Sequence, residues 1–310
     1  GQTETNAVSL DAVKEINLLV SPYDVRQGGF TGGGINMVTK SGANDFHGTG
    51  FYYRRGDSMV GSIDETEVGT FSDNNFGGTL GGPIMRDKVF FFGSYEGARR
   101  KTPSGYSANG SSGQSFGAAE ESARFRSILM NTWGHDPGGF DEVSRATDNN
   151  IIFGRIDANI SDNHQLTARH NYVGGNNQIL RPSRTFYPFP DYLYNIDITT
   201  NSFVAQLNSV FGEDKFNEFR ITAQTIKGPR FGPEPVFPSV DVDISGGRTL
   251  QAGTEDFSTA NDLDQTIFEI TDDLTMMLGD DHTVIFGTHN EIFNFENLFI
   301  RQNYGAYSFD

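Results

Sequence analysis

The stretch IIFGRIDANISDNHQLTARHNY, Ile151 to Tyr172, decides how the rest of the chain is read. Ile152, Ile156, Ala158 and Ile160 fall on one face of a strand, and Phe153, Arg155, Asp157 and Asn159 on the other. After the turn SDNH, Leu166, Ala168 and Tyr172 oppose Gln165, Thr167, Arg169 and Asn171. Two alternating runs joined by so short a turn describe an antiparallel hairpin with one apolar and one polar face.

The same unit recurs on both sides. Phe203, Ala205, Leu207 and Phe211 oppose Ser202, Gln206 and Asn208; the chain turns at GEDK; then Phe219, Ile221 and Ala223 oppose Glu218, Arg220, Thr222 and Gln224. KVFFFGSYEG follows the turn MRDK, and a further pair meets at GDDH, where Phe268, Ile270, Leu274 and Met276 oppose Glu269, Thr271 and Thr275. The run from Val284 to Phe295 is apolar on both faces, and its orientation stays open.

Composition agrees with a β architecture. The 310 residues include 27 Phe and 37 Gly, with 13% aromatic residues, which suits pleated surfaces and frequent turns. Asp and Glu outnumber Lys and Arg by 40 to 23, a net charge of −17 that disfavours nucleic acid and anionic headgroups as partners. With no cysteine, disulfides and thiolate metal sites are excluded. No apolar run approaches the roughly 18 residues of a membrane helix. A mean hydropathy of −0.44 ordinarily describes a soluble chain. A transmembrane β-barrel is the exception, because its strands alternate lipid-facing and lumen-facing side chains.

The connections separate the two possibilities. MRDK, SDNH, GEDK and GDDH are tight turns, whereas the segments between hairpins are long, about 98–149, 175–196 and 228–263. TPSGYSANGSSGQSFG is Gly/Ser-rich and KGPRFGPEPVFPSVDVDISGG is Pro/Gly-rich, as loops are. Strict alternation of short and long connections fits a barrel with short periplasmic turns and long extracellular loops; a sandwich with Greek-key crossings has no reason for it. The expected fold class is all-β, a partial transmembrane antiparallel β-barrel. The charged residues on the polar strand faces, Arg155, Asp157, Arg169, Glu218, Arg220 and Glu269, are then expected in the lumen, since charge on the lipid face is costly. Ile156, Leu166, Leu207 and Ile221 are expected to face lipid.

Near the start, RQGGFTGGGINMVTKSG gathers Gly28, Gly29, Gly32, Gly33 and Gly34 ahead of a strand-like INMVTK. A dinucleotide fingerprint would need glycine where Met37 stands, and a Walker loop would need Gly-Lys-Ser/Thr where Gly33 precedes Gly34. Both also need a helix after the glycines. Other constellations fall short: His289 in HNEIF lacks the second histidine of a zinc helix, DVDISG from Asp241 has Ala252 where a calcium loop needs Glu, and GYSANG has Asn109 where a serine elbow needs Gly. No catalytic constellation and no cofactor motif emerge. The chain begins without Met or a signal peptide and ends inside the alternating run YGAYSFD, so it reads as a fragment.

AVKEINLLVSPYDVRQGGFTGGGINMVTKSGANDFHGTGFYYRR resembles the end of the plug domain and the first barrel strand of TonB-dependent outer-membrane transporters. LGGPIMRDKVFFFGSYEGAR resembles the next hairpin in the Oar-like branch, and similar wording continues in FGRIDANISDNHQLTARHNY, FNEFRITAQT and FGTHNEIFNFENLFIRQNYGAYSF. The resemblance implies that residues 1–43 are the C-terminal part of an N-terminal plug domain. Residues 44–310 would be the first nine or ten strands, roughly, of the about 22 that such plugged barrels have. Ser41 to Asn44 would hinge plug to wall, and the glycines would permit tight turns and close approach inside a crowded lumen. It further implies the bacterial outer membrane and its lipid, energy from TonB through an N-terminal segment outside this chain, and import of a bulky ligand such as chelated iron, a glycan or a peptide. A passive structural or adhesive barrel and a soluble glycan-binding β protein are the alternatives. The loops and the plug carry no chemical signature that names the ligand.

Overall fold

Period-two alternation needs neighbours to pair with, and the chain supplies them in sequence order. The computed structural model describes residues 6–20, 24–26, 33–60, 69–110, 114–279 and 281–310. Strands β1 (Val13–Val20) and β2 (Gly33–Thr39) form an antiparallel hairpin of their own, with Leu18 opposite Ile35. Nine long strands follow among the described residues: β3 (His47–Gly56), β4 (Ser72–Met85), β5 (Val89–Pro103), β6 (Ser144–Ser161), β7 (His164–Ile179), β8 (Tyr194–Phe211), β9 (Lys215–Lys227), β10 (Asn261–Leu278) and β11 (His282–Phe299). Each pairs antiparallel with the next, from β3 to β11, in one continuous barrel wall.

Short connections alternate with long ones. β4 and β5 are joined through residues 86–88, β6 and β7 through 162–163, and β8 and β9 through 212–214. Asp87 and Gly212 take positive φ in these turns, 65° and 68°, as tight reversals require. The long connections are 104–143, 180–193 and 228–260, shorter than the expected 98–149, 175–196 and 228–263. The first two are shorter at both ends and the third at its C-terminal end. The reason is that strands persist past the apolar band: Arg99 to Thr102 and Arg145 to Asp148 pair across β5 and β6 although nearly all the side chains there are polar. Backbone ladders continue into water, where side-chain alternation no longer announces them.

The faces of the wall differ as a membrane barrel requires. Ile152, Ile156, Phe203 and Ile292 share one face and are 48%, 47%, 42% and 69% exposed, a band of large apolar side chains that a soluble fold would bury. The opposite face meets the N-terminal segment. There Phe92 and Phe153, with ring centroids 6.2 Å apart, bury Ala12 with Val8 packed alongside. This is the inner face.

The long connections fold together over one end of the wall. Strands Ser239–Ile244 and Arg248–Ala252 pair antiparallel, and Phe186–Pro188 and Ala306–Phe309 add to them in parallel. Helix α1 (Ala119–Ile128) packs Phe125, with Leu129 just beyond it, against Tyr187, Phe189 and Leu250. AAEESARFRSI favours helix, with Glu120 and Glu121 in the first turn and Arg126 in the last to complement the macrodipole. Gly134, at φ 68°, ends the helical segment. Phe189 is fully buried and meets Phe125, Phe140 and Tyr187 edge-on. A polar contact ties the same three connections: His135 Nε2 lies 2.7 Å from Asp191 Oδ2, which also accepts from Gly253 N at 2.7 Å, while the His135 ring stacks on Phe237 at 4.0 Å. Burial pushes the Asp191 carboxyl up from its ordinary value, against both of these hydrogen bonds. The segments read as featureless loops therefore form a cap with its own core. Asp241 and Asp243 lie in one of its strands, not in a calcium-type loop.

Candidate functional site

Pairing register, rather than sequence distance, gathers the inner-face charges. One row across the wall runs Phe92, Arg155, Arg169, Val204, Thr222, Glu269, Glu291. The adjacent row carries Asp157, Thr167, Gln206, Arg220, Thr271 and His289, and the one after it Glu218 and Asp273. Residues in directly opposed positions share a face, so these rows form a polar belt.

At its centre Arg155 holds Asp157 through two hydrogen bonds of 2.8 Å and also donates to Thr39, to the carbonyl oxygen at 3.1 Å and to Oγ1 at 3.0 Å. Thr167 Oγ1 donates to Asp157 Oδ1 at 2.8 Å. Asp157 is only 5% exposed, so each of these bonds is needed: a buried pair stripped of one partner loses about 3–5 kcal/mol. Arg220 Nη1 lies 3.5 Å from Glu218 Oε1, and the charges acting on Arg169 are Arg155, Arg220, Glu218 and Asp157. Five of the six expected charged residues thus come together. Glu269 stands apart, opposite Glu291, where its carboxylate, His289 and Glu291 bring their ligand atoms within 4.8 Å of one another.

The N-terminal segment is fixed to this face at several points. Asn171 Nδ2 donates to Ala7 O at 2.8 Å, and Lys40 N to Ala12 O at 2.8 Å closes the segment on itself. At the short-turn rim, Asn44 and Asp87 exchange two hydrogen bonds, 2.6 and 2.8 Å, pinning the linker to the β4–β5 turn. Further along, Asp24 grips Arg26 through bonds of 2.5 and 2.9 Å, which hold the Asp24 carboxyl down to about 2.

The surroundings of one of the five expected glycines, Gly34, are defined. Gly28, Gly29 and Gly32 lie outside the described residues; Gly33 and Gly34 open β2. A Cβ on Gly34 would meet only Leu19 Cβ at 3.9 Å, an ordinary contact, so neither crowding nor a positive φ constrains that position. The close approach is at Gly42, where a side chain would run into the carbonyl oxygens of Phe91 and Gly82. Gly42 lets the linker lie directly on β4 and β5.

A second inner-face feature lies where the wall meets the cap. A cavity of about 690 Å3 is lined by Arg100, Arg145, Arg181 and Arg230, with Thr102 and Asn177 among its neutral groups. Sequence reasoning missed it because all four of these arginines fell in segments read as loops and the intervals between them carry no period. The available signal was parity: Arg100 continues the even-numbered inner face of Ser94 and Glu96.

Known proteins place this geometry in context. A family profile described as an outer membrane beta barrel domain matches residues 38–130. The TonB-dependent transporter Oar of Myxococcus xanthus is 36% identical over 97 residues, 28% of this chain and 9% of that protein. The crystal structure of the outer membrane transporter YddB from Escherichia coli superposes with a TM-score of 0.61 at 11% identity, covering 90% of this chain and 34% of that one. The chain therefore corresponds to a small part of Oar and about a third of YddB. An apolar outer face, a polar inner face, alternating connections and these likenesses make the chain part of an all-β barrel of the bacterial outer membrane, similar to the TonB-dependent transporters of the Oar kind.

Proposed function

We propose that the chain is the end of the plug and the first part of the wall of a TonB-dependent transporter that imports a bulky ligand. Residues 1–43 act as the plug end and 44–310 as wall and cap; the inner face lines the lumen, and Arg155, Asp157, Arg169, Glu218, Arg220 and Glu269 belong to that lining. The observation that carries this reading is the seating of the N-terminal segment: Arg155 on Thr39, Asn171 on Ala7, and a small apolar patch around Ala12. Among the described residues these contacts hold the segment in place, and each is of a kind that a pull on the chain before it can break. Elements that must move for function are drawn from the weakly held parts of a fold. TonB would supply that pull through a segment N-terminal to this chain, and outer-membrane lipid would surround the apolar band. The similarity to Oar supports the TonB dependence, and the cap over the wall's far end supports a selective rather than an open pore.

Thr39 provides the test, since it is 8% exposed under Arg155 and the chain has no native cysteine. In cells carrying the full-length protein with Thr39→Cys and any cysteines outside this chain removed, a hydrophilic maleimide should label the thiol when TonB and the proton-motive force are present. Labelling should fall to background in cells lacking TonB or treated with an uncoupler. Equal labelling in all three would overturn active transport in favour of a passive barrel.

A further inference from the structure

We infer that the four-arginine cavity beneath the cap binds a polyanion carrying two or more carboxylate or phosphate groups, and that this is the charged part of the imported ligand; the second clause rests on the transport reading. Arg100, Arg145, Arg181 and Arg230 reach the cavity from β5, from β6, from the residue after next beyond β7, and from the β9–β10 connection. Four separate stretches of chain converge on one space. Among the described residues that line it there is no Asp or Glu, in a chain where acids outnumber bases by 40 to 23. Arg100 also contacts Asp73 at 3.3 Å, a pair in which both side chains are well exposed. Arg145 Nε is buried without a hydrogen-bond partner, a charged donor left over inside the cavity wall.

Register decides which source of anions the site can meet. Arg100, Thr147, Asn177, Ile196 and Arg230 form a single row across β5, β6, β7, β8 and the short strand Arg230–Phe231, on the same face as Phe92 and Phe153. That face is turned away from the apolar band, so headgroups of the surrounding membrane are not the occupant. The volume, about 690 Å3, suits a small molecule or the charged end of a larger one. Planar guanidinium forks match carboxylate and phosphate oxygens in pairs, so several of them around one cavity select for more than one such group.

The test uses the purified full-length protein and isothermal titration with two probes, citrate for carboxylates and pyrophosphate for phosphates, with sucrose as a neutral control. Saturable, salt-sensitive binding of at least one anion and none of sucrose is expected, and the tighter anion identifies the oxyanion class. Arg145→Gln combined with Arg181→Gln should weaken that binding about tenfold or more, as loss of charge-assisted hydrogen bonds does. Arg181→Lys, which keeps the charge and disturbs the fold least, should fall between the two. If the wild-type protein bound neither anion, or if a double variant with normal outer-membrane assembly bound as tightly as wild type, the inference would be overturned. The thiol test separates the two readings. TonB-gated labelling of Thr39→Cys without anion binding removes the polyanion and keeps transport, whereas anion binding with ungated labelling removes transport and keeps the site.

Discussion

The guanidinium of Arg155 serves two elements at once, closing on Asp157 within its own strand and on Thr39 of the hairpin opposite. One residue away, Ile156 faces the other side and stands half exposed. This switch over a single position is the physical content of the alternation, and it makes neighbouring residues unequal. Leu207 lies in an outer-face row with Leu166 and Phe219, while Gln206 sits in an inner-face row with Thr167 and Arg220. Leu207→Arg should therefore destabilise the full-length protein in lipid by roughly 2–4 kcal/mol, as arginine does near a bilayer midplane, and Gln206→Arg by much less. Urea unfolding from bilayers measures both, and equal midpoints for the two variants would refute the assignment of faces. At this scale the sequence was legible wherever strands cross the apolar band, because lipid on one side and polar groups on the other impose a contrast at every step. It was illegible at Gly34 and Gly42, since whether a glycine is crowded depends on what lies opposite, and nothing local says so.

At the scale of elements, the wall strands were readable and the cap was not. Helix α1 and the strands Ser239–Ile244 and Arg248–Ala252 sit inside stretches whose Gly, Ser and Pro content argues for loops. Their order comes from burial against one another: Phe125, Tyr187, Phe189 and Leu250 come from three different connections and make a core only when these meet. The run AAEESARFRSILM did carry helix-forming residues, and only the neighbouring glycines hid it. Phe189 touches three aromatic rings at the centre of this core, so Phe189→Ala should cost the cap about 3–5 kcal/mol. The aromatic contacts of Phe189 lie within the cap, so the wall should be untouched. Limited proteolysis of the full-length variant should open 104–143 rapidly while the barrel keeps its resistance to SDS. A barrel that lost that resistance as well would mean that cap and wall fold as one unit.

For the whole molecule, the alternation of short and long connections sets every short turn at one rim and the cap at the other. It also places the linker, because Asn44 is bound to Asp87 in a short turn and the segment leading to it enters from that rim. The cavity lined by arginines opens at the opposite end, under the cap, so the proposed ligand site and the anchored linker are separated by the depth of the wall. That arrangement has a sidedness, and the absence of cysteine makes it measurable. In an otherwise cysteine-free full-length protein, a single thiol at Ser245, exposed between two cap strands, should react on intact cells with a reagent that cannot cross the outer membrane. Thiols at Asn163 or Glu213, exposed in short turns, should react only once that membrane is permeabilised. Reaction of all three on intact cells would put both rims on the same side of the membrane, which no spanning barrel allows, and the proposed plug, lumenal lining and polyanion site would lose their orientation together.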